Sequence, residues 1–104
     1  MQESIFEREL PELSKRFAAF ANKALEDGAL SAKMKELIAA ALSVAVKCEP
    51  CLEHHLEQAL RKGASGREIA EALGVALLMV GGPASAWPLK TVDKVLNSGD
   101  KKDI

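Results

Sequence analysis

Three side chains in this sequence could do chemistry together: Cys48, Cys51 and His55, spaced C-x2-C-x3-H. The two cysteines are the only ones among 104 residues. A thiolate rather than a thiol attacks peroxides and disulfides, and a free cysteine, with a pKa of about 8.5, is mostly protonated at neutral pH. The local sequence offers two remedies. Pro50 suits the first turn of a helix, where its missing N–H costs nothing, so Cys48 falls among the unpaired N–H donors of a helix N-terminus. The helix dipole favours an anion there. His55 stands four residues beyond Cys51, and on a helix that spacing brings the imidazole back over the sulfur as base or hydrogen-bond partner.

From the residues alone, three arrangements fit. In a dithiol redox centre one cysteine attacks a peroxide or disulfide and the other closes an internal disulfide. In a zinc site Cys48, Cys51 and His55 are three ligands, and His54, Glu36 or water would have to be the fourth. His54, however, points about 100° away from His55 on a helix. In a structural cluster two small thiols and a satisfied histidine simply fill core. The three-then-four spacing beside a proline-started helix favours the redox centre. The helix N-terminus points to Cys48 as the more exposed thiolate, and the step to His55 points to Cys51 as the sulfur that is deprotonated.

These residues must be positioned by helices. Pro11 opens a helix in which Leu10, Leu13, Phe17, Phe20 and Ala24 recur at helical spacing, with Gly28 as its stop. Residues before Pro11, with Ile5 and Phe6, read as a short separate helix. Ser31 is an N-cap for a helix over 32–46 with Met34, Leu37, Ile38, Ala41, Leu42 and Ala45 on its apolar face, and Glu36 lies off that stripe. The helix carrying the cysteines runs to Lys62, buries Leu52, Leu56, Ala59 and Leu60, and stops at Gly63. Ser65-Gly66-Arg67-Glu68 is a capping box that opens a helix to about Val80. From Ala72 onward that helix is apolar nearly all round, which suits either the centre of a bundle or a subunit interface. Gly81-Gly82-Pro83 breaks it. A last helix carries Trp87, Val92, Val95 and Leu96 before Ser98-Gly99 and a charged, solvated tail. His54 reads as a surface or interface residue, and Trp87 and Met79 as packing.

The composition agrees: 48% of residues are apolar and 28% charged, with four aromatic residues and no tyrosine. That suits one all-helical domain, spanning residues 1–104 with its core between Pro11 and Asn97. A formal net charge of -1, with both signs interspersed, gives no reason to expect nucleic acid or an acidic membrane as partner. The N-terminal residues lack the basic start and apolar run of a secretory signal, and no segment reaches about 18 uninterrupted apolar residues. The expectation is a cytosolic protein, where a lone CxxC is catalytic or metal-binding rather than structural.

With Glu36 included, the set becomes E-x11-C-x2-C-x3-H. This resembles the signature of the alkylhydroperoxidase D-like branch of the carboxymuconolactone decarboxylase family. Lys35-Glu36-Leu37-Ile38-Ala39, Glu71-Ala72-Leu73-Gly74-Val75-Ala76 and the Gly81-Gly82-Pro83 break are similar to that family's flanking segments, so the likeness spans roughly Leu13 to Val95. The resemblance implies an all-α bundle of five to six helices, assembled as a homotrimer or homohexamer. It implies Cys48 and Cys51 as the redox pair, Cys51 facing the peroxide, His55 as the histidine of a proton relay and Glu36 as the carboxylate behind it. A carboxylate in that place fixes the imidazole tautomer and stabilises its charged form.

Two departures are visible. Pro50 stands where the peroxidase often has a histidine, and the chain carries one set of site residues where two-repeat members carry two. The family's decarboxylase branch does not depend on a CxxC, so the thiols argue against lactone decarboxylation. The expected protein is an antioxidant thiol peroxidase or disulfide oxidoreductase that reduces hydroperoxides or disulfides. An external dithiol or redox partner protein would reset it, with no organic cofactor or metal required.

Overall fold

Serines set where several helices begin. Ser4 and Ser65 each accept the N–H of the residue three later while that residue's glutamate accepts theirs: Glu7 N–H to Ser4 Oγ at 3.1 Å, Glu68 N–H to Ser65 Oγ at 3.0 Å. Ser31 Oγ accepts from the Met34 N–H at 3.0 Å. Each such cap is worth about 1 kcal/mol. The computed structural model describes residues 3–80 and 86–103, and among these there are six helices and no strand. They are α1 (Ile5–Glu9), α2 (Pro11–Leu25), α3 (Ala32–Ala45), α4 (Glu49–Arg61), α5 (Gly66–Met79) and α6 (Ala86–Asp103).

Among the described residues, helix ends use the left-handed region twice. Gly63, with φ +92°, ends α4 in a Schellman turn: its N–H reaches the Leu60 carbonyl at 3.0 Å and the Ala64 N–H reaches Ala59 at 2.9 Å. Lys47, with φ +57°, does the same for α3, with N–H bonds from Lys47 to Val44 at 3.1 Å and from Cys48 to Ser43 at 3.0 Å. A non-glycine residue there costs about 1–2 kcal/mol. The turn between α3 and α4 is therefore only Val46, Lys47 and Cys48.

The core is the seam where α3 packs on α4 and α5, with α6 lying across α4. Leu37, Ala40 and Val44 from α3 meet Leu52, Leu56 and Ala59 from α4 and Ile69, Leu73 and Ala76 from α5, and Val95 closes the α6 side. Trp87, Val92 and Leu96 pack partly buried against it. Lys94 to Glu53 at 3.2 Å and Lys33 to Glu68 at 2.9 Å tie neighbouring helices at the surface.

Several expectations are corrected. On α3 the buried stripe is Glu36, Leu37, Ala40, Ser43 and Val44, while Met34, Ile38 and Leu42 face outward. The helix is apolar on two adjoining faces, and periodicity alone does not say which one a neighbour covers. Helix α2 ends at Leu25, before Gly28, because Glu26 is extended and its carbonyl accepts from Lys35 Nζ at 2.7 Å. None of α2's residues is buried; Phe17 and Phe20 are 69% and 70% exposed. One side of α5, with Val75, Leu78 and Met79, is also uncovered. Helix α6 continues through Ser98 and Gly99 to Asp103 instead of ending in a loose tail. The expected Gly81-Gly82-Pro83 break lies outside the described residues.

Candidate functional site

Cys48 belongs to two helices at once. Its backbone N–H closes the end of α3, as above, and its sulfur caps α4 by accepting the Cys51 N–H at 3.2 Å. Pro50 sits within the first turn of α4, as its chemistry requires. The cap residue and the third residue of the helix are joined: Cys48 and Cys51 form a disulfide. The described state is therefore the oxidised one. Cys51 is exposed and Cys48 is partly buried, which reverses the expectation that Cys48 is the more exposed sulfur. The close of α3 draws Cys48 inward.

His55 lies one turn beyond Cys51 on α4 and is partly buried. Its Nδ1 is 2.7 Å from Glu36 Oε1, across the α3–α4 seam. An ionised carboxylate only accepts, so the proton in this bond belongs to Nδ1 and Nε2 is left as the nitrogen that can take a proton. Glu36 itself has a side chain only 4% exposed. A carboxylate so far from water needs a partner, and the imidazole is that partner. Ser43, one turn before Val46, is also buried and donates its hydroxyl to the Ala39 carbonyl at 2.8 Å.

The structure thus brings together Glu36 with His55 and Cys48 with Cys51, all from the α3–α4 hairpin. His54 is exposed and its ring meets that of His55 edge-on, with centroids 5.0 Å apart. It does not join the Glu36 hydrogen bond. With both sulfurs in a disulfide, neither is a thiolate able to hold a metal in this state. A pocket beside Glu36 also includes His54, Gln58 and Lys62. No motif marks Gln58 and Lys62; their places four and eight residues after His54 are the signal that sets them on one helix face.

Comparison with known proteins agrees with this architecture. Residues 11–93 match the model of the carboxymuconolactone decarboxylase family. An uncharacterized protein of Cupriavidus necator is 38% identical over 82 residues, covering 79% of this chain and 73% of its own. An uncharacterized protein of the cox locus in Paracoccus denitrificans is 40% identical over 76 residues, covering 73% and 68%. Among solved structures, a family protein from Legionella pneumophila, in its apo form, superposes with a TM-score of 0.79 at 38% identity, covering 88% of this chain and 82% of that one. Another from Thermotoga maritima, described with a suggested part in an antioxidative response, superposes with a TM-score of 0.79 at 32% identity, covering 88% and 94%. From its helical order, its E-x11-C-x2-C-x3-H set and these likenesses, the chain belongs to the carboxymuconolactone decarboxylase family, in agreement with the alkylhydroperoxidase D-like branch.

Proposed function

We propose that the protein is a thiol-dependent oxidoreductase that reduces hydroperoxides or disulfides. The observation that carries this reading is the 2.7 Å bond between Glu36 and His55, set one helical turn from a CxxC pair. In the reduced protein His55 Nε2 accepts the Cys51 thiol proton, and Glu36 stabilises the imidazolium. The Cys51 thiolate attacks one oxygen of the hydroperoxide. The S–O bond forms as the O–O bond breaks, and the departing alkoxide takes the proton back from His55 as an alcohol. Cys48 then attacks the Cys51 sulfenic acid, forming the disulfide and releasing water, with the Cys48 proton leaving in that water. An external dithiol returns both sulfurs to thiols by exchange and is itself oxidised.

The oxidised state described above is the product of the second step. The antioxidative role suggested for the Thermotoga relative supports the same chemistry. Exposure favours Cys51 as the attacking sulfur, because a substrate reaches it first. A reducing compartment, the cytosol, would supply the dithiol. The uncovered apolar faces of α2, α3 and α5 support assembly as a homotrimer or homohexamer. The radius of gyration of 15.1 Å is larger than the roughly 13 Å of a compact 100-residue domain, as fits a subunit whose α2 is meant to be covered by another chain.

The test is peroxide-dependent oxidation of a dithiol reductant by the wild type, Cys51→Ser and His55→Gln. Cys51→Ser should abolish turnover, and His55→Gln should slow it by about 10²-fold or more, the usual worth of a general base. Full turnover by Cys51→Ser would overturn the assignment.

A further inference from the structure

A pocket of about 550 Å³ opens behind the relay. Asn22 from α2, Glu36 from α3, His54 and Gln58 from α4 and Lys62, the residue that caps the end of α4, are among its walls. His54, Gln58 and Lys62 recur every four positions, so they make a polar stripe turned about 100° from the one that carries Cys51 and His55. Neither cysteine lines this pocket, and His55 does not either. A substrate in it would not meet the sulfurs. Glu36 is the member of the relay that reaches it.

Glu36 has one oxygen committed and one not. Oε1 is held by His55, and Oε2 has no hydrogen-bond partner among the described residues. Yet no fully enclosed side-chain oxygen or nitrogen among those residues lacks a partner. Oε2 therefore keeps some opening to solvent, and Glu36 lines this pocket. A carboxylate withdrawn from bulk water keeps its charge only if its lost hydration is replaced. At about 30 Å³ per molecule, the pocket has room for many waters, and its walls offer them polar anchors. The amides of Asn22 and Gln58 and the ring of His54 can hold water, and the Lys62 ammonium adds positive charge. The acidic groups at the rim have partners of their own: Glu26 pairs with Lys23 at 2.7 Å, and Asp27 Oδ1 accepts the Ala32 N–H at 2.6 Å.

We propose that Asn22, His54, Gln58 and Lys62 are positioning residues of the relay, holding water against Glu36 Oε2 so that the carboxylate stays ionised and His55 Nε2 stays a strong proton acceptor for Cys51. This rests on the relay reading above. The charged and titratable groups around Glu36 are His55, bonded to it, and, sharing the pocket, His54 from α4, Lys62 at the end of α4 and Glu26 and Asp27 from the turn after α2. Of these, Lys62 and His54 can be altered without touching the relay bond or the cysteines.

The experiment follows alkylation of reduced protein by iodoacetamide against pH, in a Cys48→Ser background so that mass reads Cys51 alone. Gln58→Leu and Lys62→Met should raise the pH midpoint by about half a unit, roughly threefold less thiolate at a fixed pH below it. Lys62→Arg should restore the midpoint. His55→Gln is the control and should raise it further. If both pocket variants keep the original midpoint while His55→Gln raises it, the pocket has no part and the relay stands. If His55→Gln also leaves it unmoved, the relay reading itself fails and takes the pocket with it. Thermal melts check each fold, and should Gln58→Leu not fold, Lys62→Met, at an exposed position, decides alone.

Discussion

Glu36 and His55 are nineteen residues apart in sequence and 2.7 Å apart across the seam of two helices, with the carboxylate almost wholly withdrawn from water. The bond ties the packing of α3 on α4 to the protonation of an imidazole one turn from a cysteine.

Glu36→Gln tests that bond in both roles. The amide can still accept from Nδ1 but carries no charge to stabilise the imidazolium, so peroxide turnover should fall by about 10²-fold with the fold retained. Glu36→Ala should in addition lower stability by about 1–3 kcal/mol, because His55 loses its buried partner. Steady-state kinetics and urea unfolding separate the two losses.

Cys48→Ser should stop the cycle after its first step. Serine remains a good helix cap, so the helix should persist, while one equivalent of peroxide is consumed and the sulfenic acid at Cys51 is left without its partner. Trapping with a dimedone probe should give one adduct, located at Cys51 by mass spectrometry. No adduct after peroxide would mean that Cys51 is not the attacking sulfur.

The helix that carries the site is anchored by Leu52 and Leu56, both nearly free of solvent. Leu56→Ala should cost about 2–5 kcal/mol, as large-to-small core substitutions do. Denaturant midpoints measure it.

Stability should depend on acid through Glu68. The Ser65 N–H, then the Lys33 ammonium, hold the Glu68 carboxyl below its ordinary range. With the folded value below the unfolded one, its contribution is complete above the unfolded value and disappears as pH falls through the folded one. The wild type should therefore exceed Glu68→Gln in urea midpoint at neutral pH, and the difference should vanish in acid. Solvent exposure keeps the effect small.

The assembly proposal is checked at α2. Phe17→Glu with Phe20→Glu should leave the helical content unchanged, since neither side chain is buried in its own chain, yet shift sedimentation to the monomer. A monomeric wild type would refute it.

How much of this was legible in the sequence depended on the range of each interaction. The CxxC pair, the cap at Ser65 and the stop at Gly63 are set within one or two turns, and spacing revealed them. The contact of Glu36 with His55 depends on how α3 crosses α4, and Glu36 lies off the stripe that periodicity picks out. Resemblance to a family pointed to it where spacing did not. The outward face of Met34, Ile38 and Leu42 is not legible in the sequence, because an apolar stripe is silent about what covers it. Helix α6 passes through Gly99 because a glycine inside a helix costs only about 1 kcal/mol, which does not forbid it.

The left-handed turn at Lys47 has a consequence for how the protein can change. Because α3 reverses into α4 within three residues, Glu36, Cys48, Cys51 and His55 all lie on one helical hairpin of twenty residues. Their contacts are local, so they form at small loop-closure cost. A change confined to this hairpin can therefore alter the whole candidate set, while the other helices bear on it by covering Leu52 and Leu56 and by placing Asn22 in the pocket beside Glu36.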